Sequence, residues 1–425
     1  MIWVLFGSLA FFLAMGVPVA FSIGLSSLAY LVVKGFPPVS VISQRMVMGI
    51  DSFPLLALPL FMIAGVLMEK GSTPRLMRLA NALIGHITGG LAAVAVAASC
   101  FFGAVSGSGV ATVAAVGSIM EPEMVKRGYG KGFTASLLGG SGGLGIVIPP
   151  SLSMVVYGVA GGVSIAALFL GGFIPGILAG LFLIAFSIMV SAKRGYRGTD
   201  RRASFKELVE AFRGAIGPLA MPVIIMGGVL GGVFTPTEAA VVAAVYAFVL
   251  AVFVYKELKW SEVPQLLAKA SLSSATIILI VSAAAPFAWI MASEHIPEAM
   301  ASALLSISSN KIVLLFAINV LLLFLGTFME TIAVIIIMTP ILLPIVTHIG
   351  IDPVHFGVAM MLNLAIGGAT PPLAVGLFTS TRIIGISIEE TFPDIIWVCL
   401  VMTLALAVIL LIPETALLLP NLLLK

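Results

Sequence analysis

The chain has 425 residues, of which 60% are hydrophobic and only 9% charged, a balance that no soluble globular domain of this size approaches. The bilayer is therefore its solvent, and the small net charge of +3 gives no reason to expect a nucleic-acid partner. The two cysteines, Cys100 and Cys399, sit in apolar runs without metal-ligand spacing, so a disulfide framework and a zinc site are excluded and both read as packing residues.

The N-terminus is apolar from Met1 to Val33, with no basic leader and no small-residue cleavage site. It reads as mature protein carrying candidate spans 1–14 and 17–33. A third span covers 51–68. The apolar stretch 88–120 is too long for one crossing and too interrupted for two, with Ser106-Gly107-Ser108-Gly109 near its middle. Non-helical backbone at membrane depth survives only under protein cover, so 88–125 is predicted to be a re-entrant hairpin. From Gly132 to Ala192 there is no charged residue, which leaves room for spans 132–160 and 165–192 at about 20 residues per crossing. The first of these is cut by Gly142-Gly143-Leu144-Gly145 and the Pro149-Pro150 pair.

A basic connector follows over 193–213, with seven Lys and Arg against three acids. Spans are then predicted at 214–234, 239–255 and 272–292, with Thr235-Pro236-Thr237-Glu238 capping a helix start. A second interrupted stretch, 311–347, holds Gly326-Thr327 and Glu330-Thr331 and reads as the second hairpin. The segment 354–382 is cut by Gly367-Gly368-Ala369-Thr370-Pro371-Pro372, and a last span covers 391–412. Two amphipathic stretches, 256–270 and 296–308, read as helices lying along the interface. His86, His295, His348 and His355 fall at predicted membrane edges and read as interfacial.

If the connector is cytoplasmic, every Lys and Arg except Lys34, Arg45, Lys311 and Lys425 falls on that same side. The positive-inside rule thus supports the whole topology. A shift of 222 residues superposes Pro122 on Pro344, Gly128 on Gly350, Gly145 on Gly367, and Pro149-Pro150 on Pro371-Pro372. The fold expected is an all-α polytopic membrane protein of two repeats, 1–192 and 214–425. Each repeat makes about five crossings with one re-entrant hairpin and one broken helix. Five is odd, so the second copy is inverted in the membrane. Inverted repeats with helices broken in matching places point to a secondary transporter.

The breaks are where chemistry is expected. Proline removes amide donors and glycine permits unwound backbone, which frees carbonyl oxygens at the midplane as ligands for a hard cation such as sodium. Ser106 and Ser108 at the first hairpin tip would complete a site begun by Gly145, Ile148 and Pro150. Its twin would use Gly367 and Thr370 with Thr327 or Thr331. Half-helix N-termini nearby would favour the carboxylate of an anionic solute. Glu330 is an acid well inside a hydrophobic segment, where an unpaired charge costs at least about 2.5 kcal/mol. It either balances a bound cation or locks the hairpin tip by accepting backbone amides.

Five stretches resemble the large membrane subunit of the tripartite ATP-independent periplasmic (TRAP) transporters. They are Gly103 to Ser108, Ile148 to Tyr157, Gly231 to Ala240, Gly326 to Thr331 and Gly367 to Pro372. The resemblance implies an elevator-type, sodium-driven importer of the ion-transporter-superfamily kind in a bacterial or archaeal inner membrane, without a cofactor. It also implies a separate small four-helix membrane subunit and a periplasmic substrate-binding protein as partners, besides membrane lipid. Carboxylates are the implied solutes: a C4-dicarboxylate, sialic acid, or another sugar or keto acid. It places Ser106, Ser108, Gly145, Ile148 and Pro150 at one sodium site, Thr331, Gly367 and Thr370 at the other, and Ser151 and Ser153 at the solute. Gly109, Ala374 and Gly376 depart from the residues usual in that family at those positions. Two rivals remain: a stand-alone sodium/dicarboxylate symporter, and an intramembrane protease on Gly139-Gly140-Ser141-Gly142. The protease reading lacks a histidine in a later span to activate the serine.

Overall fold

The computed structural model describes residues 2–199, 201–307 and 310–424, so Lys425 and Ser308, which entered the charge and amphipathicity arguments, lie outside the described residues. The helices follow the apolar runs. α1 (Ile2–Ala14) and α2 (Val19–Lys34) pack together, and α3 (Ser40–Ile50) bends by 66° into α4 (Ala57–Ile84). α5 (Gly90–Ser106) and α6 (Gly109–Lys126) form the first expected hairpin, and α7 (Lys131–Gly142) and α8 (Leu152–Gly161) are the two halves of the first broken helix. α9 (Ile165–Arg194) leads into the basic connector. α10 (Phe205–Leu230), α11 (Pro236–Val249), α12 (Val263–Ser293) and α13 (Ile296–Ile307) follow it. The second hairpin is α14 (Lys311–Phe328) with α15 (Thr331–His348), and the second broken helix is α16 (Pro353–Gly367) with α17 (Val375–Ile384). α18 (Asp394–Leu411) and a short α19 (Glu414–Leu423) complete the chain.

Adding 222 to the bounds of α6 gives those of α15, and the same shift places α5 and α8 within one residue of α14 and α17. The two copies interlock. Each hairpin packs its first arm on the broken helix of its own repeat, α5 on α7 and α14 on α16. Its second arm packs on the far half of the other repeat's broken helix, α6 on α17 and α15 on α8. Outside this body, α11 lies on α4 while α12 lies on α2 and α3, again a reciprocal pairing.

Among the described residues seven helices are long and apolar enough to cross a membrane, and the bent α3–α4 pair makes an eighth. The spans expected at 132–160 and 354–382 do not count among them because each is two short helices either side of a gap. The stretch 256–270, read as an interface helix, does not form a helix of its own. Residues 263–270 are the first turns of α12, whose apolar positions continue to Ser293 through Pro286. Of the stretch 296–308, the described residues 296–307 do form a separate helix, α13, after His295 takes a left-handed conformation (φ 53°). His355 is buried, with Nε2 2.8 Å from the carbonyl of Ile409, so this histidine faces the protein interior. The cap at Thr235 is present: its hydroxyl accepts from Glu238 N, and the Glu238 carboxylate accepts from Thr235 N at 2.7 Å.

Orientation is checked with single cysteines in a chain whose Cys100 and Cys399 are replaced by alanine. Arg202→Cys is expected to react with an impermeant maleimide only after the membrane is opened, and Ser40→Cys from outside in intact cells. The reverse pattern would overturn the proposed topology.

Candidate functional site

The first hairpin tip is a knot of hydroxyls. α5 ends at Ser106 because Gly107 turns left-handed (φ 62°), and Ser108 is extended so that its side chain accepts from Ala111 N at the head of α6. Ser106 Oγ lies 3.2 Å from Thr112 Oγ1, and Thr112 donates to the carbonyl of Ser108 at 2.8 Å. The first break is pressed onto this knot. A Cβ on Gly145 would lie 2.6 Å from Thr112 Oγ1 and 2.9 Å from Ser108 O, and one on Gly107 would lie 2.8 Å from Pro150 O. Leu152 N donates to Gly107 O at 3.2 Å, so a backbone hydrogen bond joins tip to break. Ser106, Ser108, Gly145 and Pro150 therefore meet as the sequence predicts. Ile148 sends its side chain against Gly176 of α9, which leaves its carbonyl as the polar group it can offer.

The second copy repeats the plan with different atoms. Gly326 and Gly367 touch backbone to backbone, since a Cβ on Gly367 would lie 2.8 Å from Gly326 Cα. Leu373 N donates to Thr327 O at 2.8 Å, the counterpart of the bond between Leu152 and Gly107. Thr327 and Thr370 each donate their hydroxyl proton to a carbonyl of their own helix, Phe324 O and Ile366 O, both at 2.8 Å. A hydroxyl oxygen that donates its proton keeps acceptor capacity, which a cation ligand needs. Cys399 Sγ lies 3.4 Å from Thr370 Oγ1, so this cysteine packs beside the second break. The Glu330 carboxylate accepts from Ile332 N at 2.9 Å and Ala333 N at 3.3 Å, which is the hairpin lock of the two roles considered.

Between the two tips and the two breaks lies a cavity of about 140 Å³. Ser108, Ser153, Glu330 and Thr331 line it, with Met62 of α4 and Ile277 of α12 closing the sides. Ser153 is 3% exposed and its hydroxyl makes no hydrogen bond among the described residues. Ser151 does not line the cavity; its hydroxyl donates to Ile146 O at 2.7 Å and ties the break together. Ser106, Gly145, Ile148, Pro150, Thr327, Gly367 and Thr370 lie behind the cavity wall, in the tip-to-break contacts.

Three residues escaped the sequence reading. Thr112 follows Ser108 by one helical turn, so its place on the same face was available from spacing alone. Asn363 and Asn319 form a buried pair: Asn363 Nδ2 donates to Asn319 O at 2.7 Å and to Asn319 Oδ1 at 3.0 Å, joining α16 to α14. The shift of 222 places Asn363 on Ser141, and Ser141 Oγ lies 3.2 Å from Ser99 Oγ, joining α7 to α5. The serine of the protease-like motif is thus a fully buried helix-to-helix contact.

The family model described as "Tripartite ATP-independent periplasmic transporter, DctM component" matches residues 6–415. Similar relatives include the isethionate TRAP transporter permease protein DctMQ of Oleidesulfovibrio alaskensis, 46% identical over 91% of this chain and 61% of that longer protein. The sialic acid TRAP transporter large permease protein SiaM of Vibrio cholerae is 40% identical over 99% of both chains. The C4-dicarboxylate TRAP transporter large permease protein DctM of Rhodobacter capsulatus is 37% identical over 99% of both. Among solved structures, the YdaH transporter of Alcanivorax borkumensis superposes with a TM-score of 0.58 over 86% of each chain at 14% identity, a likeness of fold.

The glycine contacts make a stability prediction. Gly145→Ala and Gly367→Ala force backbone apart and are expected to cost about 2 kcal/mol or more each, seen as a lowered thermal midpoint in detergent. Gly227→Ala, with nothing within 4 Å of the added carbon, is expected to leave the midpoint unchanged.

Proposed function

Because the chain belongs to the DctM family of tripartite ATP-independent periplasmic transporters, as their large membrane permease, we propose that it is a sodium-coupled importer of an organic anion. A periplasmic binding protein delivers the solute, and a small four-helix membrane subunit works beside the chain. The relatives carry names for isethionate, sialic acid and C4-dicarboxylates, all organic anions. The observation that carries the reading is the matched docking of each hairpin tip on a break. Both docks gather hydroxyl and carbonyl oxygens without a formal charge, which suits a hard monovalent cation.

In this mechanism the first sodium sits among Ser106, Ser108, Thr112, Gly145, Ile148 and Pro150, and the second among Thr327, Thr331, Gly367 and Thr370. Each ion bridges a hairpin to a broken helix, so its binding firms the wall from which Ser108 and Thr331 face the cavity. Its charge also offsets that of the anion. Carrying an isolated charged side chain to the bilayer centre costs roughly 2.5–3.5 kcal/mol by insertion scales, and a cation bound beside the solute reduces that cost. Ser153 contacts the solute, while Ser151 holds the break that presents it. The interlocked hairpins and broken helices then move as one body against α1–α4 and α10–α13, as in an elevator. A stand-alone symporter is not favoured by the family match, and co-purification of a small helical subunit separates the two.

Proteoliposomes holding the complex with its binding protein test the coupling. Uptake is expected to require an inward sodium gradient, and uptake indifferent to that gradient would reject the proposal. Thr112→Val removes one ligand oxygen at constant shape. It is expected to raise the sodium concentration for half-maximal uptake by about tenfold, roughly 1.4 kcal/mol at one ligand.

A further inference from the structure

At the end of the fold that carries the basic connector, α4 and α10 enclose a groove of about 450 Å³, and the connector closes its third side. Five charged residues line it: Arg75 and Arg78 on α4, Arg201 on the connector, and Glu207 and Glu210 on α10. Three of them are engaged within the protein. Arg75 donates to Glu257 at 2.8 Å and lies 3.7 Å from the centre of the Tyr255 ring. Arg201 donates to Glu207 at 3.2 Å, and the Glu207 carboxylate also accepts from Ser204 N at 2.7 Å in the cap of α10. Arg78 and Glu210 are left over. Among the described residues neither forms an ion pair or a side-chain hydrogen bond, with each other or with any third group. The groove therefore offers one uncommitted cation on its α4 wall and one uncommitted carboxylate on its α10 wall.

This groove lies where hydrocarbon gives way to lipid headgroups. Trp260, close in sequence to the Tyr255 and Glu257 that hold Arg75, is 63% exposed. Phe205 and Phe212, which the helix period puts on the face of α10 away from the groove, are 81% and 54% exposed. Outward-facing aromatic rings beside charged side chains mark the membrane interface.

We propose that the groove binds a zwitterionic phospholipid with a primary ammonium, a phosphatidylethanolamine, its phosphate on Arg78 and its ammonium on Glu210. Guanidinium and phosphate make charge-assisted hydrogen bonds of matching geometry, and Asn81 on the same wall adds an amide donor. The ammonium returns hydrogen bonds to a carboxylate that is otherwise unanswered. Basic pockets at this depth ordinarily select anionic lipids. Here an anionic headgroup would answer Arg78 and leave Glu210 facing a second negative charge. A choline headgroup carries its positive charge on a nitrogen with no N–H to donate. The assignment requires only that the chain lies in a bilayer, and it is independent of sodium coupling and of the solute.

The test is native mass spectrometry of the purified permease complex, stripped of lipid in detergent. It is titrated with phosphatidylethanolamine, phosphatidylglycerol and phosphatidylcholine of identical acyl chains, and with soluble glycerophosphoethanolamine. Phosphatidylethanolamine is expected to bind at least about fivefold more tightly than either other lipid, the effect of one added ionic contact near the surface. Arg78→Gln and Glu210→Gln are each expected to weaken it about fivefold, and Glu210→Gln to remove the preference over phosphatidylglycerol. Arg78→Lys, which keeps the charge, should retain binding if Arg78→Gln does not fold. Arg213→Gln, on α10 outside the groove, should change nothing. Phosphatidylglycerol binding more tightly than phosphatidylethanolamine, or a preference that survives Glu210→Gln, would overturn the zwitterion assignment. An equal loss in Arg213→Gln would reduce the effect to general surface charge and overturn the site. Soluble headgroup that binds as tightly as the lipid would overturn the membrane as the source of the ligand.

Discussion

A backbone amide or carbonyl left unpaired in hydrocarbon costs several kcal/mol, so a polypeptide cannot interrupt a helix inside a bilayer unless something else covers the gap. The architecture of this permease answers that constraint twice. At each break a hairpin tip supplies the cover: Leu152 N reaches Gly107 O across the first contact, and Leu373 N reaches Thr327 O across the second. The glycines at these contacts follow from the same requirement. Backbone meets backbone only where no Cβ intervenes, as at Gly103 against Gly145 and Gly326 against Gly367. What remains unbonded after the cover is in place is a small set of oxygens, and these are the groups available for chemistry.

The repeat was legible because glycine and proline punctuate the backbone, and punctuation survives in a sequence when side chains have diverged. The tip and break of each copy could thus be found by one shift, and the helix bounds obey it to within a residue for α5, α6 and α8. Side-chain chemistry was less legible. Ser141 and Asn363 occupy equivalent positions and do the same work, yet one bonds a serine and the other an asparagine, and no pattern of residue types connects them. Thr112 lies one turn beyond the tip motif, where only the helix period of α6 brings it back over Gly145. The stretch 256–270 shows the opposite error. Its amphipathic pattern was real, but pattern alone does not separate a helix lying along the interface from the exposed end of a long helix that continues inward, as α12 does.

Glu330 illustrates how one residue is chosen by two demands. A carboxylate at the head of α15 satisfies the amides of Ile332 and Ala333, as Ser108 does for Ala111 in the other hairpin. Serine would serve the cap there too, so capping alone does not call for a charge. A carboxyl group in that place, where the other hairpin carries a serine, makes the two tips that line the cavity chemically different.

That asymmetry bears on how an inverted repeat handles a solute that is not itself symmetric. Two identical copies would offer two equivalent poses to an anion, and a solute bound in either pose would contact the scaffold differently on each passage. With a carboxylate on one tip and a serine on the other, the two ends of the cavity present different groups to whatever enters it. The wall residues Met62 and Ile277 come from α4 and α12, which stand outside the interlocked body. If the interlocked body moves as proposed, those two side chains are the part of the wall that does not travel with it. The divergence of the two tips, far from being decay of the repeat, gives a symmetric frame two unlike ends.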